Sequence, residues 1–206
     1  MADKGSCLMY FSKQYKFAFM HINKTGGRSL TEYLNKVIPD FKLTGLGHMA
    51  IHKPYYWLKL RNILPDDFRL VTIIRNPARR YESLYRYRKM KYTKGIKDHE
   101  GQNFDAYTIP FSPWFYKQIV SDNPLDQPQT DWLSESDALR DRILYLRLEY
   151  IRSDVRKMLK TFGVRPGPGG FPHVNKSPKE EIEWDLNATI ALEIREAWLY
   201  NNFYPV

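Results

Sequence analysis

Cysteine is almost missing from this chain of 206 residues: Cys7 is the only one. A lone cysteine excludes an internal disulfide and a cysteine-based zinc site. No run of about 18 apolar residues occurs, so no membrane-spanning helix is expected. The opening Met1-Ala-Asp-Lys-Gly-Ser-Cys7 lacks the charged and apolar regions of a signal peptide. The usual triphosphate loop, two glycines with four residues between them followed by Lys-Ser/Thr, is also absent. No strand end offers a carboxylate for magnesium. These absences argue against a secreted disulfide scaffold, a membrane span and a magnesium-dependent NTPase. Internal repeats, heptads and low-complexity tracts are missing too.

What is present is an ordinary globular composition with 43% apolar residues, a net charge of +9 and many aromatics. That supports one domain, residues 1–206, with a polar lead-in over 1–16. The basic balance points to an anionic partner without choosing among nucleotide, nucleic acid, acidic glycan and membrane surface.

The densest stretch is Phe17-Ala-Phe-Met-His-Ile-Asn-Lys-Thr-Gly-Gly-Arg-Ser-Leu30. It predicts a short strand (17–22), a turn, and a helix over 28–37 with Leu30, Tyr33, Leu34 and Val37 on one face. Lysine, threonine and two glycines in the turn suit a phosphate: glycines allow close approach, and the helix start adds donors and positive potential. Arg69-Leu-Val-Thr-Ile-Ile-Arg75 reads as a buried strand. Asn76 and Pro77 then open a helix running to about Tyr92. Arg80 and Ser83 share a face of that helix and would suit a second phosphate. A third strand is expected over 142–147, followed by a helix over 149–162 that Gly163 ends. Further helices are expected over 54–64, 113–120, from Ser177, and over about 187–202. Strands alternating with helices predict an α/β fold with a mainly parallel central sheet, ligands lying beyond the carboxyl ends of its strands.

Taken together, these motifs resemble the sulfotransferases that use 3′-phosphoadenosine-5′-phosphosulfate (PAPS). That family carries a strand followed by His-x-Pro-Lys-Thr-Gly-Gly-Thr-Ser-Leu; here His21-Ile-Asn-Lys-Thr-Gly-Gly-Arg-Ser-Leu30 stands in its place. Its 3′-phosphate motif, Arg-Asp/Asn-Pro-x-x-Arg-x-x-Ser, appears as Arg75-Asn-Pro through Arg80 to Ser83. Leu146-Arg-Leu-Glu-Tyr-Ile151 is similar to the third-strand signature, and His173-Val-Asn-Lys-Ser177 to a late loop. Asn23 departs from the family's proline and Arg28 from a small residue.

The resemblance implies a P-loop-like three-layer fold and transfer of a sulfuryl group from PAPS to an acceptor hydroxyl or amine, leaving 3′-phosphoadenosine-5′-phosphate (PAP). It implies that Lys24, Thr25, Gly26, Gly27, Arg28, Ser29 and Leu30 surround the 5′-phosphosulfate, with Lys24 at the breaking bond. Arg75, Arg80 and Ser83 would take the 3′-phosphate, and Lys176 and Ser177 would close over the nucleotide. No metal is expected. Of the five histidines, His48 in Gly45-Leu-Gly-His is the candidate base, since it resembles the base of the glycan 2-O-sulfotransferase branch and imidazole titrates near neutrality. His52, four residues on, is the other. A carbohydrate hydroxyl is the expected acceptor; phenols, lipids, tyrosine and a non-catalytic polyanion-binding role stay open. Neither nucleic acid nor membrane is an expected partner. The sequons Asn23-Lys-Thr25 and Asn175-Lys-Ser177 fall inside proposed binding stretches, where a glycan would block the site, so a cytoplasmic setting is expected. Arg86, Arg88, Lys89, Lys91, Lys94 and Lys97 read as either a guide for an anionic acceptor or a solvated helix face. Trp114, Phe115 and Tyr116 read as a pocket lining or a helix anchor.

Overall fold

A computed structural model describes residues 9–44, 64–93, 109–120, 126–133, 142–167, 171–172 and 181–205. The expected helix over 54–64 falls outside these residues except for Leu64. So do the helix start at Ser177 and the residues His48, His52, Lys94, Lys97, Lys176 and Ser177. The chain forms two compact units. One comprises Met1–Arg75 with Asp131–Val174, the other Asn76–Thr130 with Asn175–Val206.

The first unit carries a five-stranded mixed sheet. Its strands are β1 (Met9–Ser12), β2 (Phe17–Met20), β3 (Lys42–Thr44), β4 (Arg69–Ile74) and β5 (Ile143–Arg147), in the order β3-β1-β2-β4-β5. The three expected strands pair parallel: Phe17 sits opposite Arg69, and Leu70 opposite Ile143. Their apolar runs are of the kind that sheets covered on both faces require. All four residues of β2 are buried, as is β4 from Leu70 to Ile74.

The sheet is nonetheless not mainly parallel, because β1 and β3 add two antiparallel pairings. Strands of four and three residues are too short to show a period. They exist because β2 offers an edge and the turn at Lys13–Lys16 returns the chain onto it, with Lys16 left-handed at φ 51°. Asp40 braces this hairpin, accepting from Ser12 Oγ at 2.6 Å and from the Gln14 N–H at 2.8 Å.

Helices α1 (Gly27–Val37) and α5 (Ile151–Thr161) complete this unit's core. Leu30, Leu34, Leu159 and Met158 meet Phe17, Phe19, Val71 and Ile73 there. Gly163 ends α5 as expected: it is left-handed at φ 69°, its N–H reaches the Lys160 carbonyl, and Val164 N–H reaches Leu159 at 2.8 Å. Both bonds belong to a Schellman motif.

The second unit is helical where described, with α2 (Pro77–Thr93), α3 (Phe111–Ile119), α6 (Leu186–Arg195) and α7 (Ala197–Phe203). The short α4 (Gln129–Leu133) leads from this unit to the first. Tyr81, Tyr85, Phe111, Trp114 and Phe115 pack with Ala188 and Leu192 into its core. Trp184 stacks its edge on Phe111 and Phe115 and donates to Glu82. The expected helix over 187–202 is two helices, because the chain turns at Glu196. Among the described residues, no helix is long and apolar enough to cross a membrane.

Candidate functional site

The turn between β2 and α1 is built from residues with little conformational choice. Lys24 and Gly26 are both left-handed, at φ 64° and 87°. For lysine that conformation costs about 1–2 kcal/mol, so the surroundings must hold it. Two contacts do. Thr25 is fully buried and its hydroxyl donates to the Ile22 carbonyl at 2.8 Å. Arg75, just beyond β4, donates through Nη1 to the Lys24 carbonyl at 3.1 Å. The parallel β2–β4 pairing is what brings Arg75 to this turn, 51 residues away in sequence.

Gly26 is the N-cap of α1 and offers no capping side chain; the first turn carries no acidic residue. The N–H groups of Ser29 and Leu30 reach back to the Gly26 carbonyl. Those of Gly27 and Arg28 precede any helical acceptor. The start of α6 differs: there Asp185 caps, accepting the Ala188 N–H at 2.7 Å. The start of α1 therefore keeps its positive end without an internal anion, flanked in sequence by Lys24 and Arg28. Both glycines are enclosed from behind. A Cβ on Gly26 would lie 2.6 Å from Leu148 Cδ1, and one on Gly27 would lie 2.1 Å from His21 Cδ2. The turn thus presents an uncapped helix start with no acidic residue in its first turn, an arrangement that suits an anionic group.

The other expected residues separate into distinct environments. Ser29 is buried at 6% exposure, and Leu30 belongs to the core rather than to a ligand surface. Arg28 points outward and pairs with Glu32 at 3.2 Å, one turn along. Arg80 and Ser83, in the second unit, are almost wholly enclosed, at 0% and 5% exposure. His48, Lys176 and Ser177 lie outside the described residues.

The described cations of the basic run, Arg86, Arg88, Lys89 and Lys91, are each engaged by a neighbouring side chain. Arg88 is buried against Asp126 and Gln118 and faces the Trp114 ring. Arg86 pairs with Glu82 at 3.4 Å. Lys89 and Lys91 lie over the rings of Tyr85 and Tyr87. Trp114 and Phe115 are fully buried and anchor α3, leaving Tyr116 as the exposed member of that trio.

Three residues of this region were not singled out from the sequence as partners of the turn. His21 is a wall of the cradle, its ring against Gly27 and stacked on Phe19 at 5.8 Å. Leu148 is the second wall, against Gly26. Asp154 braces the end of β5, accepting from Arg147 N–H and Nε at 3.0 Å and from Nη2 at 3.1 Å. Glu149, the acid nearest that strand end in sequence, is exposed. Burial alone would raise the Asp154 carboxyl, but the Arg147 hydrogen bonds outweigh it and hold it below the usual carboxylate value. The spacing Arg147-x6-Asp154 is a strand end followed by a first helical turn, a signal that the sequence does contain. No family model matches this chain, and no curated protein matches it.

Proposed function

We propose that this protein is a PAPS-dependent sulfotransferase, with the turn Lys24–Ser29 receiving the 5′-phosphosulfate. One observation carries the reading: the uncapped, acid-free start of α1, reached through two left-handed residues, is clamped from β4 by the Arg75–Lys24 hydrogen bond. That clamp joins two of the four motifs on which the resemblance rests. The three adjacent parallel strands β2, β4 and β5 support a P-loop-like reading of the first unit.

In the proposed reaction an acceptor oxygen forms a bond to sulfur, in line with the breaking bond to the 5′-phosphate, and PAP leaves. The acceptor proton passes to His48. Lys24 would meet the charge that grows on the departing phosphate oxygen, and the N–H groups at the start of α1 would hold it in place. Ser83 would meet the 3′-phosphate. The acceptor we favour is a carbohydrate hydroxyl. Asn23 sits within the cradle turn, and the Thr25 hydroxyl of the same sequon is engaged inside it; a glycan there would obstruct binding, which supports a cytoplasmic setting.

Titration calorimetry with PAP in the presence of EDTA tests the reading. PAP should bind in the micromolar range, and ATP with magnesium should not compete at similar concentration. No binding heat from PAP would refute the proposal. Tight, steeply salt-dependent binding of nucleic acid in its place would favour a polyanion-binding module.

A further inference from the structure

One helix of the second unit is apolar on two sides. Seven large hydrophobic side chains are exposed among the described residues, and three of them lie on α6: Leu186 at 73%, Ile190 at 45% and Ile194 at 70%. Their spacing of four residues makes one ridge along the helix. The core is served from the other side of α6, where Ala188 and Leu192 belong to the cluster of Tyr81, Phe111 and Trp114. Single exposed apolar residues are ordinary, whereas a contiguous row marks a surface that another molecule covers. Helix propensity does not account for the row either, since isoleucine is a poorer helix former than glutamate or lysine.

Charge around the row selects the kind of molecule that fits it. Glu193 lies three residues past Ile190 and seven past Leu186, so it borders the row on the same face. Asp185 caps the helix just before Leu186, and Glu181 and Glu183 are exposed in the lead-in. Arg195 is the one cation of α6, and its place five residues past Ile190 sets it round the helix from the row. The border is therefore acidic, in a chain whose net charge is +9. Such a border is repelled by an anionic membrane surface. A second copy pairing this row with its own across a two-fold axis would set acid against acid. Three aliphatic side chains also fall well short of the ~800 Å² that each partner buries in a stable dimer.

We propose that the outer face of α6, the row Leu186, Ile190 and Ile194 with its acidic border, is a docking surface for a cationic amphipathic helix of another protein. Ridges of four-residue spacing interlock when the incoming helix carries apolar residues at i, i+4 and i+8 and crosses at about −50°. Lysine or arginine flanking that incoming row would meet Glu193 along the side and the acidic lead-in, Glu181 to Asp185, at one end. The apolar row supplies the contact area, and the acidic border rejects helices with acidic flanks. No residue of the Lys24 turn or of the Arg75–Ser83 motif takes part, so this inference stands independently of the sulfotransferase reading.

The test uses the full chain and two synthetic peptides of about 18 residues, long enough to hold a helix. Both carry leucine at i, i+4 and i+8; one has lysine flanks and the other glutamate flanks. Fluorescence anisotropy should give the lysine peptide a Kd on the order of 10 µM, and the glutamate peptide binding at least about tenfold weaker. Leu186→Gln combined with Ile194→Gln keeps the charge and removes most of the row. It should weaken the lysine peptide about tenfold or more and leave the urea midpoint unchanged. Glu193→Gln should weaken it about threefold and flatten its salt dependence. Should the double change lower the midpoint, either single change, at a side chain already 70% or more exposed, decides by the same criterion. Equal binding of the two peptides overturns the proposal, as does no binding of the lysine peptide at about 1 mM. Binding that the glutamine changes leave intact overturns it as well. So does self-association in sedimentation, or binding to phosphatidylserine vesicles, that the glutamine changes abolish, because the face then belongs to a second copy or to a lipid surface.

Discussion

Gly27→Ala is the sharpest perturbation of the cradle. In most helices replacing glycine by alanine is stabilising, by up to about 1 kcal/mol in an interior position. Here the new Cβ would stand 2.1 Å from His21 Cδ2, 2.2 Å from Nε2 and 2.7 Å from Cγ. Carbon atoms in good contact keep about 3.5–4.0 Å, so the ring must retreat by more than about 1 Å. It has little room on the other side, where it stacks on Phe19, itself 1% exposed. Overpacking of this kind costs about 1–3 kcal/mol. Subtracting the propensity gain leaves a net loss of about 1–2 kcal/mol, which for a chain of this size lowers the melting midpoint by about 2–8 °C. The assay is thermal and urea unfolding followed by circular dichroism. The control is the same change in a His21→Ala background, where the clash is gone and Gly27→Ala should be neutral or stabilising. A stabilised Gly27→Ala protein, or an equal cost in both backgrounds, would refute the packing of His21 on the helix start.

Lys24→Gly should separate stability from function. Relief of the left-handed strain is worth about 1 kcal/mol, partly offset by the freer unfolded chain, so the midpoint should hold or rise while sulfuryl transfer is lost. A large fall in midpoint would contradict the strain. Gly163→Ala meets no atom within 4 Å, so it should cost only the left-handed penalty, about 1–2 kcal/mol in urea unfolding; a smaller loss would remove that glycine from its stop role. Asp154→Asn should cost about 1–2 kcal/mol at pH 7, the partial exposure of Arg147 moderating the loss. Because the folded Asp154 carboxyl is depressed, its contribution is present above the unfolded value near 4 and fades as pH falls through the folded value. The stability gap between the two proteins should therefore close in acid; a gap that persists at the lowest pH would exclude the charge as its source. His48→Ala should abolish transfer and leave PAP affinity nearly unchanged, measured by radiolabel transfer and calorimetry; retained turnover would remove His48 from the role of base.

Chain order and local chemistry determined much of this protein by themselves. The apolar runs at 17–22, 69–75 and 142–147 read as strands and hold β2, β4 and β5, and the long connections between them made parallel pairing the natural outcome. Gly163 stopped a helix because only glycine takes a left-handed residue without cost. The residue types of Lys24–Gly27 announced a tight turn opening a helix, and the structure has that turn, with Lys24 and Gly26 left-handed. What the tertiary structure decided concerns partners distant in sequence. β1 and β3 are strands because a sheet edge was available to them. Arg75 clamps Lys24 because parallel register aligns two strand ends. Arg86 and Arg88 of α2 are engaged within the second unit because Glu82 and Asp126 meet them there. Arg80 and Ser83, which share a helix face on any reading, turn out to share a buried one. Helical spacing determines which residues share a face, but burial depends on what the rest of the chain packs against it.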